Sequence, residues 1–204
     1  MGAYQVTRST TNFLLAGVGG QGILLAADVI ALVGLENGLD VKKSEVHGMA
    51  QRGGSVTSHV RWGERVASPL ITPGEVDYFL AFERLEALRY ADQLRLGGTL
   101  LINDYRVVPV SVSSGNEVYP SVEDEEKAYS GAIGRRIYVP AMSLAQELGQ
   151  ARVNNVIMLG VLSALLDIPE SIWLTVISAR VPERYVVLNQ RAFWAGRAYI
   201  AAHR

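Results

Sequence analysis

The chain has 204 residues, of which 49% are hydrophobic and 19% charged, with a formal net charge of -1; one buried core can sustain this balance, and it excludes a disordered chain. With no cysteine it holds no disulfide and none of the thiolates that ligate iron-sulfur clusters. It also lacks the basic stripe of a nucleic-acid binder and any apolar run of about 18 residues, so a cytoplasmic protein with no membrane segment is expected.

Along the chain, Phe13 to Ala16 is a short apolar run that ends at glycines, and Ile23 to Leu35 continues with apolar residues at helical spacing until Asn37 and Gly38 stop it. This predicts strand, tight turn, helix. Val41 begins a second extended segment. Ser55 to Ser68 alternates as a hairpin would, with Val56, Val60 and Trp62 on one side, Thr57, His59 and Arg61 on the other, and a turn at Gly63 and Glu64. Tyr78 to Phe82 is a further strand, Glu83 to Arg95 a helix that Gly97 and Gly98 terminate, and Thr99 to Asn103 the strand after it.

Tyr105 to Gly134 is the least periodic segment and reads as mostly loop with short extended pieces. Ile137 to Val139 is the expected last strand, followed by helices over Ala141 to Leu148, Val153 to Leu166, Glu170 to Val181 and Arg184 to His203. The pattern predicts one α/β domain over residues 1–204, Rossmann-like, with a mostly parallel sheet covered by helices on both faces and a helical C-terminus. Ligands in such folds sit at the carboxyl ends of the strands.

Gly17-Val18-Gly19-Gly20-Gln21-Gly22 satisfies G-x-G-x-x-G between a predicted strand and a predicted helix. Such glycines allow a tight turn and close approach, and they leave N-H groups at a helix N-terminus that favour an anion, so the turn is either a pyrophosphate site or purely structural. An NAD site would place an acidic residue about 20 positions on. Lys42 and Lys43 stand there instead, between Asp40 and Glu45. The lysines suit a ligand with an extra phosphate, such as NADP or coenzyme A, or are simply solvated.

The stretch "SEVHGMAQRGGS" from Ser44 to Ser55 is too irregular for a helix face and too polar for a core strand. His47 could act as an acid or base, and Gln51 could add a polar contact. Arg52 could clamp a carboxylate or phosphate while Gly53 and Gly54 let the backbone close in; the alternative is a satisfied loop histidine and a surface arginine. His47, His59 and His203 form no metal-binding pair, and no nucleophile elbow or Walker loop is present, so no metal site and no independent hydrolase or ATPase activity is expected. In the last helix Asn189, Ala192, Phe193 and Gly196 share one face, which would pack on the sheet or meet a partner chain.

Taken together, "AGVGGQGI" from Ala16, "SEVHGMAQRGGSVTSHVRWG" from Ser44, "SPLI" at Ser68, "AFERLEALRY" from Ala81, the glycine pair at Gly97 and "NQRAFWAG" at Asn189 resemble the gamma subunit family of 2-oxoacid:ferredoxin oxidoreductases. The likeness is greatest to its indolepyruvate subgroup and covers nearly the whole chain. It implies a small subunit, inactive alone, that packs on a large partner bearing thiamine diphosphate and [4Fe-4S] clusters. The complex would decarboxylate a 2-oxoacid, an arylpyruvate by the likeness of the loop, pass the electrons to ferredoxin and form an acyl-coenzyme A. Within it this chain would close the active site and help bind coenzyme A, with His47, Gln51 and Arg52 in contact with substrate or coenzyme phosphates. Alone, an uncovered partner face could pair two copies as a homodimer. Two other readings are a free-standing NADP-dependent oxidoreductase and a docking subunit without ligand contacts.

Overall fold

A computed structural model of the chain describes residues 10–47, 54–129 and 133–203, with His47 and Val110 described in their backbone alone. Its centre is a six-stranded sheet. The strands are β1 (Thr10–Val18), β2 (Asp40–His47), β3 (Ser55–Gly63), β4 (Val76–Ala81), β5 (Leu94–Asn103) and β6 (Ile133–Val139), in the order β2-β3-β1-β4-β5-β6. Pairings β1-β4, β4-β5 and β5-β6 are parallel, whereas β1-β3 and β2-β3 are antiparallel. Phe13, Leu14, Leu15 and Ala16 are all buried, as a strand covered on both faces requires.

The helices are α1 (Ile23–Glu36), α2 (Arg84–Arg89), α3 (Val110–Ser113), α4 (Val122–Tyr129), α5 (Ala141–Glu147), α6 (Asn154–Ser163), α7 (Glu170–Arg180) and α8 (Val186–Ala202). On one face, Phe13, Leu15, Val60, Trp62 and Leu80 pack with α1 and α5 to α8. On the other, Leu14, Ala16, Phe79 and Leu100 pack with Ala87 of α2 and Tyr129 of α4. Among the described residues no helix is long and apolar enough to cross a membrane.

Several expectations are corrected. Ser55 to Ser68 is no hairpin: its first nine residues are the single strand β3, which pairs along its length with β1 and β2, and the alternation reflects its two faces. The helix expected from Glu83 to Arg95 ends at Arg89, because Leu94 is recruited into parallel pairing with Val76. Gly97, with φ of 75°, and Gly98 then lie inside β5, at an irregularity in its pairing, and terminate no helix. The Tyr105 to Gly134 segment holds α3 and α4, and β6 begins at Ile133.

The Asn189, Ala192, Phe193 and Gly196 face is buried, but it rests on α6 and not on the sheet. A Cβ on Gly196 would lie 2.0 Å from the Ile157 carbonyl oxygen, and one on Gly160 2.1 Å from that of Phe193. The two helices cross at backbone contact, which only glycine permits.

Candidate functional site at the carboxyl ends of the strands

The glycine turn follows β1 and opens α1 at the crevice between β1 and β4, where the sheet changes from antiparallel to parallel. Gly22 is left-handed, with φ of 78°, and caps α1 without a side chain. Gln21 folds back into the crevice: its Oε1 accepts from the Val18 N-H at 2.7 Å, and its Nε2 donates to the Phe82 carbonyl at 3.1 Å. A Cβ on Gly17 would meet that Oε1 at 2.6 Å, so the first glycine makes room for the glutamine. The Gly19 N-H donates to Gly54 O at 3.0 Å and the Gln21 N-H to Val18 O at 3.2 Å. The amides of Val18, Gly19 and Gln21 are thus engaged within the protein, and the opening turn of α1 offers the N-H groups that a helix N-terminus leaves for an anion.

The Phe82 carbonyl also accepts from Asn103 Nδ2 at 3.2 Å, which joins the ends of β1, β4 and β5. Asn103 is fully buried, and its Oδ1 has no hydrogen-bond partner among the described residues. A buried acceptor in that state calls for a donor.

Beside it, Glu83 is fully buried and caps α2, with one carboxylate oxygen accepting from Leu85 N at 2.6 Å and Glu86 N at 3.1 Å. Its other oxygen accepts from Val107 N at 3.0 Å and from the Tyr119 hydroxyl at 2.5 Å. One carboxylate therefore pins the segment after β5 to the start of α2. Burial and the adjoining Glu83 push the Tyr119 hydroxyl well above the usual tyrosine range. Arg84 extends the clamp, donating to Glu125 at 3.0 and 2.7 Å and to Asp104 at 2.8 Å.

Glu86 holds the end of the Ser44 to Ser55 stretch. Its Oε2 accepts from Ser55 Oγ at 2.5 Å, Tyr90 Oη lies 3.1 Å from the same hydroxyl, and Arg89 pairs with Oε1 at 2.6 Å. Burial raises the Glu86 pKa, against the pull of Ser55 and Arg89.

The structure brings Gly17, Gly19, Gly20, Gln21, Gly22 and Gly54 to this end of the sheet. The His47 backbone joins them, in register with Val56 and, through it, Gly17. Gln51, Arg52 and Gly53 lie outside the described residues. Lys42 and Lys43 are not brought to the turn. Lys43 is level with Val60 and Phe13, five residues back along β1, or about 17 Å at the usual strand rise. It pairs with Asp28 at 2.5 Å and Glu45 at 2.6 Å, and Lys42 pairs with Asp40 at 2.7 Å. Asp40 also caps the Val66 N-H at 2.7 Å. These five charges, four on the edge strand β2 and Asp28 on α1, pair with one another, and no phosphate need be invoked for the lysines.

Glu83, Glu86, Tyr90, Asn103 and Tyr119 were not singled out by sequence reasoning. Glu83 carries a local signal, an acidic residue at the start of a predicted helix. Ser55, which Glu86 holds, and Phe82, to which Asn103 donates, lie 31 and 21 residues away, and those links have no local signal.

Among the described residues, the glycine turn, the orphan acceptor and the anchored end of the polar stretch thus lie together at the carboxyl end of the sheet. Residues 12–199 match the pyruvate ferredoxin/flavodoxin oxidoreductase family, and the chain belongs to it. Within the family, the chain is 39% identical over 188 residues to indolepyruvate oxidoreductase subunit IorB of Thermococcus kodakarensis, covering 91% of this chain and 93% of that one. It is 39% identical over 158 residues to the IorB subunit of Archaeoglobus fulgidus, covering 78% of each.

Among solved structures, the gamma subunit of a keto/oxoacid ferredoxin oxidoreductase from Geobacter sulfurreducens is similar, with a TM-score of 0.68 at 25% identity over 91% of this chain and 95% of that one. A 2-oxoglutarate:ferredoxin oxidoreductase from Magnetococcus marinus, solved with 2-oxoglutarate, coenzyme A and succinyl-CoA, shares the fold with a TM-score of 0.75 at 23% identity, over 96% of this chain and 32% of that one.

Proposed function

We infer that the chain is the small, gamma-type subunit of a 2-oxoacid:ferredoxin oxidoreductase that takes arylpyruvates of the indolepyruvate kind. The observation that carries this reading is the 39% identity to an IorB subunit across nearly the full length of both chains. The cysteine-free sequence supports placing the iron-sulfur clusters on a large partner subunit. Thiamine diphosphate, on the same partner, would supply the carbanion stabilisation that decarboxylation needs. The complex would release carbon dioxide and a proton as the acyl group replaces the hydrogen on the coenzyme A sulfur, and the partner's clusters would supply the route for the two electrons to ferredoxin.

This chain's own part is binding and closure. The first turn of α1 offers unpaired amides to a phosphate of coenzyme A, and the buried Asn103 Oδ1 offers an acceptor. The Ser44 to Ser55 stretch is held at its far end by Glu86 and Tyr90; in this reading its His47, Gln51 and Arg52 would meet substrate or coenzyme at the mouth of the partner's site, with glycines at positions 53 and 54 for close approach. The geometry gives no support to a free-standing NADP enzyme, since the lysines that would read an extra phosphate are paired at a distance from the turn.

The test is coenzyme A-dependent reduction of ferredoxin by the purified complex, with indolepyruvate, a branched-chain 2-oxoacid and 2-oxoglutarate compared. The reading requires the highest kcat/KM with indolepyruvate, and no 2-oxoacid-dependent reduction would reject it. In the same assay Arg52→Ala should raise the KM for coenzyme A or the oxoacid about tenfold or more. Unchanged kinetics with normal assembly would leave a docking role only.

A further inference from the structure

On the α1 side of the glycine turn, where α6, α7 and α8 approach the start of α1, lies a cavity of about 150 Å³. Its wall is mainly apolar: Leu25 from α1, Val153 ahead of α6, Val181 after α7 and Leu188 from α8. Arg152 also lines it. That side chain is exposed and, among the described residues, makes no ion pair. A cavity of roughly this volume with a mainly apolar lining has room for a benzene-sized body, and an arginine in that lining without an ion-pair partner among the described residues suits a carboxylate.

We propose that this cavity binds a small monocarboxylate with a phenyl-sized apolar body, the ring lying against Leu25, Val181 and Leu188 and the carboxylate pairing with Arg152. Asn155, which also lines the cavity, links the bound molecule to the glycine turn. Its Nδ2 donates to the Gly22 carbonyl at 3.2 Å across 133 residues of sequence, and a Cβ on Gly22 would lie 2.3 Å from that nitrogen. A ligand seated against Asn155 therefore bears on the residue that opens α1. Binding of this kind needs no partner chain and holds whichever 2-oxoacid the complex takes.

The experiment is a titration of the isotope-labelled full-length chain with phenylacetate, followed in its amide NMR spectrum, with neutral phenylacetamide alongside. The expected result is saturable phenylacetate binding with shifts at Gly22, Val153 and Leu188, and affinity for phenylacetamide lower by about tenfold or more. Arg152→Gln, a surface change whose spectrum reports directly on folding, should remove that preference. Absence of saturable shifts, equal affinity for the two probes, or unchanged phenylacetate affinity in Arg152→Gln would each overturn the proposal. None of these outcomes bears on the subunit reading, which stands or falls on ferredoxin reduction by the complex.

Discussion

At the carboxyl end of the parallel strands, Glu83 is buried and committed to backbone and hydroxyl groups, whereas along the outer edge strand β2 acidic side chains stay partly exposed and pair with lysine and arginine. Glu83 is fully buried and accepts from three backbone amides and a tyrosine hydroxyl. At the edge, Asp28 is shared between Lys43 at 2.5 Å and Arg180 at 2.6 Å, with every partner partly open to solvent. Burying a charge is costly unless it is fully satisfied, and removing one partner then exposes that cost. Exposed pairs are worth little. The first region is consequently built for fixed geometry and the second for solubility and edge protection, although only the second displays the lysines that look like a phosphate site in sequence.

The largest effect that would sharpen this contrast is expected at Gly22. Gly22→Ala forces a side chain into left-handed backbone and against Asn155, and should lower unfolding free energy by roughly 2–4 kcal/mol in a urea titration. Gln21→Ala removes the two side-chain bonds by which Gln21 bridges Val18 and Phe82, at a cost of about 1–3 kcal/mol in the same titration.

Stability against pH separates the regions by sign. Burial raises the Glu86 pKa, so the folded chain holds that proton more tightly than the unfolded one. Its contribution is fully present below the ordinary glutamate pKa and is lost as pH rises through the folded value. For Asp28 burial is opposed and outweighed by Lys43 and Arg180, which lower the pKa. Its contribution is full above the ordinary aspartate pKa and is lost as pH falls through the folded value. Denaturation midpoints measured across the acid range should show Glu86→Gln abolishing a loss on the alkaline side of the carboxylate range and Asp28→Asn abolishing one on the acid side. The smallest effect is expected for Lys43→Ala, at most about 1 kcal/mol, with the KM for coenzyme A in the complex unchanged; a raised KM would return the lysines to the site.

Much of the fold is legible because its signals are local. Phe13 to Gly22 reads as strand and glycine turn, and the spacing of the last four helices is close to what is observed. The misreadings have one cause: β3 alternates as a hairpin would but spends its hydrogen bonds on β1 and β2, and Leu94 leaves a helical pattern to pair with Val76. In each case tertiary pairing overrides a local pattern. The site divides the same way. Its glycines and the Ser44 to Ser55 stretch are motifs in sequence, while Glu86 reaches Ser55, and Asn155 reaches Gly22, only through the fold. The lysines misled because sequence proximity to a glycine turn is not proximity in a sheet, where the chain returns along β2 in the opposite sense to β3.

Hydrogen exchange of the chain alone and in its complex with the large subunit tests the central claim most directly. If the strand ends form the functional face, amides at Gly17 to Leu24 and at Gly54 and Ser55 gain protection on assembly while those from Asp40 to Glu45 do not. Protection confined to the lysine edge, with the glycine turn unchanged, would contradict it.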